Sequence, residues 1–138
     1  MARFYKHLAL LTSSFFLLTS CQEGGDAGDL FGQWRMADSN NKYISFSGSV
    51  VKFNNVAEYA TNPAEQAIGG EIYGNFQQTC DSLFIQCYSV YGASTDTTIV
   101  EKVFAMKPFR NIRLKIESLN SDHLIITKGN QHWTLQKW

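Results

Sequence analysis

From Leu30 onward the chain is a succession of short runs in which apolar and polar residues alternate, separated by Gly, Asn, Asp and Ser. The runs Gly32–Ala37, Lys42–Phe46, Ser49–Phe53, Glu71–Gln78, Leu83–Val90, Thr97–Ala105, Asn111–Ser118, Leu124–Lys128 and Gln131–Trp138 are rich in Val, Ile, Thr, Tyr, Phe and Trp. Alternation with that composition, bounded by turn formers, predicts β-strands. The two prolines, Pro63 and Pro108, fall between runs. Pro63–Ile68 is predicted as one turn of helix, and no longer helix is expected. Near-uniform strand spacing predicts an all-β fold, an antiparallel up-and-down meander closing into a barrel of about eight to nine strands. Closure removes the exposed edges that an open sheet leaves.

Register follows from the turns. Gly129-Asn130 suits a two-residue turn whose first position needs a positive φ. It pairs Ile126 with Trp133 and Leu124 with Leu135, and puts Thr127, Thr134 and Gln136 on the other face. A turn at Asp81-Ser82 pairs Cys80 with Leu83, Gln78 with Ile85 and Phe76 with Cys87. A five-residue loop, Leu119–His123, sets Ile116 opposite Ile126. The expected inner face therefore holds Ile72, Phe76, Leu83, Ile85, Cys87, Ile116, Ile126, Trp133 and Leu135, because side chains alternate across a strand.

The first 20 residues have a different character. Arg3 and Lys6 precede an apolar run from Leu8 to Leu18 that contains no acid. These are the positive and apolar regions of an export signal, and the run is shorter than the ~20 residues that span a bilayer. Leu18-Thr19-Ser20-Cys21 ends it and resembles the lipobox of bacterial lipoproteins. The resemblance implies cleavage after Ser20, a lipid on Cys21 and a protein held to the membrane of the cell envelope. Residues 22–30, with three glycines and three acids, bury too little apolar surface to order and read as a tether. Acids soon after the cysteine also resemble the surface-export signal of Bacteroidetes lipoproteins, which implies the outer membrane. The expected organisation is signal peptide 1–20, acidic tether 21–30 and barrel domain 31–138.

The precursor carries 12 basic and 12 acidic residues. Loss of Arg3 and Lys6 leaves 10 basic residues against the same 12 acidic ones, a balance with no electrostatic pull on nucleic acid. Lys102, Lys107, Arg110, Arg113 and Lys115 form a locally basic stretch that reads as a solvated face.

Gly32-Gln33-Trp34 opens the first strand and resembles the Gly-x-Trp start of the lipocalin family. Tyr73-Gly74-Asn75-Phe76, then Asp81-Ser82-Leu83, then Ile116, Leu119 and Leu124, and finally Trp133-Thr134-Leu135 resemble in order the lipocalin-like domains of Bacteroidetes lipoproteins. The resemblance covers roughly residues 30–138. It implies a closed barrel with Trp34 plugging one end and an apolar or amphipathic small molecule as ligand. The family's C-terminal helix and the basic residue stacked on its first-strand Trp have no evident counterpart in the sequence.

Chemistry-bearing residues are sparse. His123 and His132 lack metal-ligand spacing, and no nucleophile motif, phosphate loop or close acid pair stands out. No catalytic residue, metal or cofactor is assigned. Cys80 and Cys87 are expected unlinked, because the turn at Asp81-Ser82 sets them ~13 Å apart along one face, beyond the ~7 Å reach of a disulfide. Asp81-Ser82-Leu83 and Asp96-Thr97-Thr98 resemble the Bacteroidetes O-glycosylation pattern, which marks Ser82 and Thr97, although Asp81-Ser82 is equally a turn. The aromatic residues, Trp34, Phe76 and Trp133 among them, either fill the barrel or line an apolar pocket at one mouth. Two functions stand against each other: a membrane-anchored binding module for a small apolar or amphipathic molecule, and a non-catalytic accessory subunit of an envelope protein complex.

Overall fold

The computed structural model describes residues 28–138. The signal segment, Cys21 and most of the tether lie outside them. Eight strands run in sequence order around a closed antiparallel barrel: β1 (Gly32–Met36), β2 (Lys42–Ser47), β3 (Val50–Asn55), β4 (Gly70–Gln78), β5 (Ser82–Tyr88), β6 (Ile112–Leu119), β7 (His123–Lys128) and β8 (Gln131–Lys137). β8 returns to β1, pairing Leu135 with Met36 and Lys137 with Trp34. Burial alternates along most strands, as in the burial of Trp34 and Met36 on β1, with Tyr43 on β2 and Thr127 on β7 buried out of phase, so one face builds the core and the other largely meets solvent.

The expected register holds at Gly129-Asn130, where Ile126 faces Trp133 and Leu124 faces Leu135. Gly129 adopts φ 58°, the conformation that only glycine takes without a Cβ penalty. Ile116 faces Ile126 across the next pair. The β4–β5 hairpin differs from expectation. Gln78 pairs with Leu83, Phe76 with Ile85 and Gly74 with Cys87, a shift of two residues from a turn centred on Asp81-Ser82. The loop widens because the amide of Thr79 donates to the carbonyl of Ser82 at 2.9 Å. A two-residue shift preserves the face of every side chain, so the inner set is unchanged.

Thr97–Ala105 is not a strand. It belongs to a helical segment made of α2 (Ser94–Thr98) and a π-helical turn (Ile99–Val103); the earlier α1 (Pro63–Gln66) falls within the turn of helix expected over Pro63–Ile68. Ile99, Val100, Val103 and Phe104 are buried while Glu101 and Lys102 between them are not. That is helical spacing. Eight strands already close the cylinder, so a ninth has no free edge to join, and packing overrides the β-propensity of the Thr, Ile and Val residues.

The chain also orders earlier than the tether boundary suggests. Gly28–Leu30 form a 3-10 turn and Leu30 is fully buried.

Candidate functional site

The barrel has a sealed base and a plugged mouth. At the base Trp34 is fully buried, and its indole Nε1 donates to the carbonyl of Leu30 at 2.8 Å. The Nζ of Lys137 lies 4.5 Å from the centre of the Trp34 ring and donates to the carbonyl of Phe31. Lys137 is thus the basic partner of Trp34 that the sequence did not reveal. Gly32 explains how it fits: a Cβ there, at φ 117°, would lie 2.8 Å from the Lys137 Nζ. The missing side chain is the gap through which the lysine crosses, and the ammonium meets the negative face of the indole.

At the mouth, the connection between β5 and β6 folds back over the opening. Val100 and Met106 are fully buried and Phe104 nearly so. Phe104 meets Phe53 edge-on at 5.1 Å between centroids. The indole Nε1 of Trp133 donates to the Phe104 carbonyl at 2.8 Å, which holds the plug and satisfies a buried acceptor.

Trp34, Ile72, Phe76, Ile85, Cys87, Ile116, Ile126, Trp133 and Leu135 all belong to one buried cluster, together with the plug. Most of them fill the barrel. Trp133 alone reaches a cleft at the mouth, about 390 Å³, whose floor is Met36, Val103, Phe104 and Trp133 and whose rim includes Asp38, Lys42, Gln131 and His132. A second cleft of about 470 Å³ lies against it and shares Ala37, Asp38 and Lys42. Under that cleft, Asn41 and Asn55 are buried in a polar network. The Asn41 Nδ2 donates to Asn55 Oδ1 (2.7 Å) and to Glu65 Oε2 (2.9 Å), and Lys42 pairs with Glu65 at 3.1 Å. Nothing in the alternating pattern announced this network, since two buried asparagines read as turn residues beside Ser39 and Asn54.

Cys87 is free and buried, and burial pushes its thiol up to about 12. Cys80 is exposed, and because Cys87 is free the two are not bridged to each other. Ser82 starts β5 and Thr97 lies on α2, both exposed. His132 is exposed on the rim of the first cleft and His123 is exposed at the start of β7. Among the described residues no group of three or more His, Cys, Asp or Glu residues is placed to hold a metal, and no helix is long and apolar enough to cross a membrane.

A lipocalin-like protein of Bacteroides uniformis superimposes with a TM-score of 0.61 at 15% identity, over 80% of this chain and 100% of its own. This is a lipocalin-like barrel. An uncharacterized protein of Bacteroides eggerthii has the same fold, with a TM-score of 0.55 at 12% identity, covering 79% of this chain and 99% of its own. No family profile and no curated protein matches the sequence. At these identities the likeness fixes the lipocalin-like architecture alone.

Proposed function

We propose that this lipocalin-like barrel is an envelope-anchored binding module whose ligand, a small amphipathic molecule, sits in the mouth and not in the barrel axis. The cleft beside Trp133 carries the reading. Its volume of about 390 Å³ falls within the ~300–1,000 Å³ of small-molecule sites. Its chemistry is divided: Met36, Val103, Phe104 and Trp133 offer an apolar floor, whereas Asp38, Lys42, Gln131 and His132 offer polar partners at the rim. An amphipathic molecule matches both. The axis is already filled by Phe46, Phe53, Phe76 and Phe104.

Native mass spectrometry of the purified protein should reveal a co-purifying small molecule, and titration with n-octanol should shift NMR resonances of Met36, Phe104 and Trp133. Ala37→Trp, an exposed rim position, should fill the cleft and weaken octanol binding about ten-fold or more, worth ~1.4 kcal/mol, with an unchanged urea midpoint. No adduct and no shifts at these residues would overturn the mouth reading.

The anchor rests on Arg3, Lys6, the apolar run and Leu18-Thr19-Ser20-Cys21. Cys21→Ser should release the protein from the membrane fraction, because acyl chains contribute ~0.8 kcal/mol per buried CH₂. Retention of the variant after a carbonate wash would overturn it.

An accessory-subunit role has one observation in its favour. Tyr73 and Tyr88 pair across β4 and β5, and Tyr88, Val90 and Tyr91 are 39%, 56% and 93% exposed. Tyrosines of this kind are common interface anchors. An empty mouth together with a discrete protein cross-linked in cells through position 91 would favour that role.

A further inference from the structure

Resting on the mouth reading, we infer that the second cleft takes the head of the same ligand, and that this head is a neutral polyhydroxylated group, a sugar. The cleft of about 470 Å³ lies between the β1–β2 turn and the segment from Tyr59 to Glu65. Because it shares Ala37, Asp38 and Lys42 with the Trp133 cleft, one molecule can occupy both.

Three features select the chemistry. First, the walls supply the hydroxyl of Thr61 and the amides of Asn40 and Asn62, groups that both donate and accept hydrogen bonds, while the Ser39 hydroxyl is already bonded to Asn41. A sugar hydroxyl asks for that. Second, the formal charge of the lining is −1, Asp38 and Glu65 against Lys42, and Lys42 is already paired with Glu65 at 3.1 Å. A phosphate or carboxylate head would meet no free cation. Third, Tyr59 presents a ring that is 58% exposed at the wall, an apolar body with a polar tip on which the C–H face of a pyranose can lie.

The walls are also held in advance. Asn55 Nδ2 donates to the carbonyls of Glu65 (3.1 Å) and Ile68 (2.6 Å), while Asn41 bridges Asn55 and Glu65. The Asn62 Oδ1 accepts from the Ala64 amide at 2.9 Å, and Gln66 Nε2 donates to the Ala60 carbonyl at 2.6 Å. Asn41 and Asn55 are 4% and 1% exposed, so this network fixes one wall against the other from beneath. A rigid polar cleft binds without having to order itself.

The test compares n-octanol with three single-chain glycosides below their micellar concentrations: n-octyl β-D-glucoside, n-octyl β-D-galactoside and n-octyl β-D-maltoside. At least one glycoside should bind about ten-fold tighter than octanol, the gain expected when a second contact becomes intramolecular. Its titration should shift Tyr59 and Asn62 as well as Trp133. Tyr59→Ala should reduce that glycoside to the affinity of octanol and leave octanol itself unchanged. Tyr59→Phe, which keeps the ring, should retain most of the gain. Octanol binding with no glycoside gaining, or a Tyr59→Ala loss shared equally by octanol, overturns the sugar subsite while the mouth reading stands. Failure of every probe at both clefts overturns the two together.

Discussion

At the scale of single residues, the base of the barrel turns on one indole. Trp34 is fully buried, hydrogen-bonded to Leu30 and covered by Lys137. Trp138 is 63% exposed and lies on the outer face, with the Arg35 guanidinium 4.4 Å from its ring and Tyr43 edge-on at 5.8 Å. Both indoles contact a cation, so the cation contact does not distinguish them. Burial does. Trp34→Ala should cost ~3–5 kcal/mol, a large share of the ~5–15 kcal/mol that stabilises a small domain. Trp138→Ala should cost ~1 kcal/mol, the worth of an exposed cation–π contact. Urea midpoints of the two variants measure this. Equal midpoints would remove Trp34 from its role as the plug of the base.

At the scale of elements, the plug between β5 and β6 is the part of the fold that works against local preference. Its residues favour strands, yet they coil as α2 and a π-helical turn. The turn out of the helix places Ala105 at φ 58°, where an L-residue pays ~1–2 kcal/mol. The strain is tolerated because the neighbours on either side, Phe104 and Met106, are pinned in the core. Ala105→Gly should therefore raise the urea midpoint, by a net ~0.5–1 kcal/mol after the extra chain entropy of glycine is subtracted. A lower midpoint would show that the left-handed turn is not strained. The other elements follow their local signals: Asn62 caps α1, with Pro63 beginning it, and Gly129-Asn130 turns β7 into β8.

At the scale of the whole molecule, closure at both ends dries the interior, and Cys87 reports on it. Its folded thiol titrates at about 12, against 9.0 for the ordinary group, because burial disfavours the thiolate. Above pH 9.0 the unfolded chain gives up this proton while the folded chain keeps it. The folded state then binds more protons, and stability falls as pH rises through the interval from 9.0 to about 12. The slope from this group approaches ~1.4 kcal/mol per pH unit. Other groups titrate in the same range, so the measurement is a difference. The stability gap between the native protein and Cys87→Ala should narrow as urea unfolding is repeated from pH 9 to pH 11, by an amount on the order of the same slope. A constant gap would mean that water reaches the thiol.

What the sequence determined by itself is the meander and its two faces. Period-two alternation and the turns between strands are local signals, and they suffice to put Ile72, Phe76, Ile85, Cys87, Ile116, Ile126, Trp133 and Leu135 inside, while the place of Trp34 came from the resemblance of Gly32-Gln33-Trp34 to the lipocalin start. The β4–β5 register was off by two residues because turn chemistry at Thr79–Ser82 admits loops of two lengths. Face assignment survived because both lengths preserve parity. Tertiary structure alone decided the rest. Whether Ile99–Phe104 forms a ninth strand or a plug depends on how many strands close the cylinder, although the doublets Ile99-Val100 and Val103-Phe104 carried a helical spacing that could have been read. Lys137 meets Trp34 from more than a hundred positions away, through the space left by Gly32, and no local pattern encodes such a meeting. The clefts at the mouth have the same origin. Asn41, Asn55, Tyr59 and Glu65 come together only when β2, β3 and α1 converge, because a cleft is a property of surfaces brought into contact and not of any run of residues along the chain.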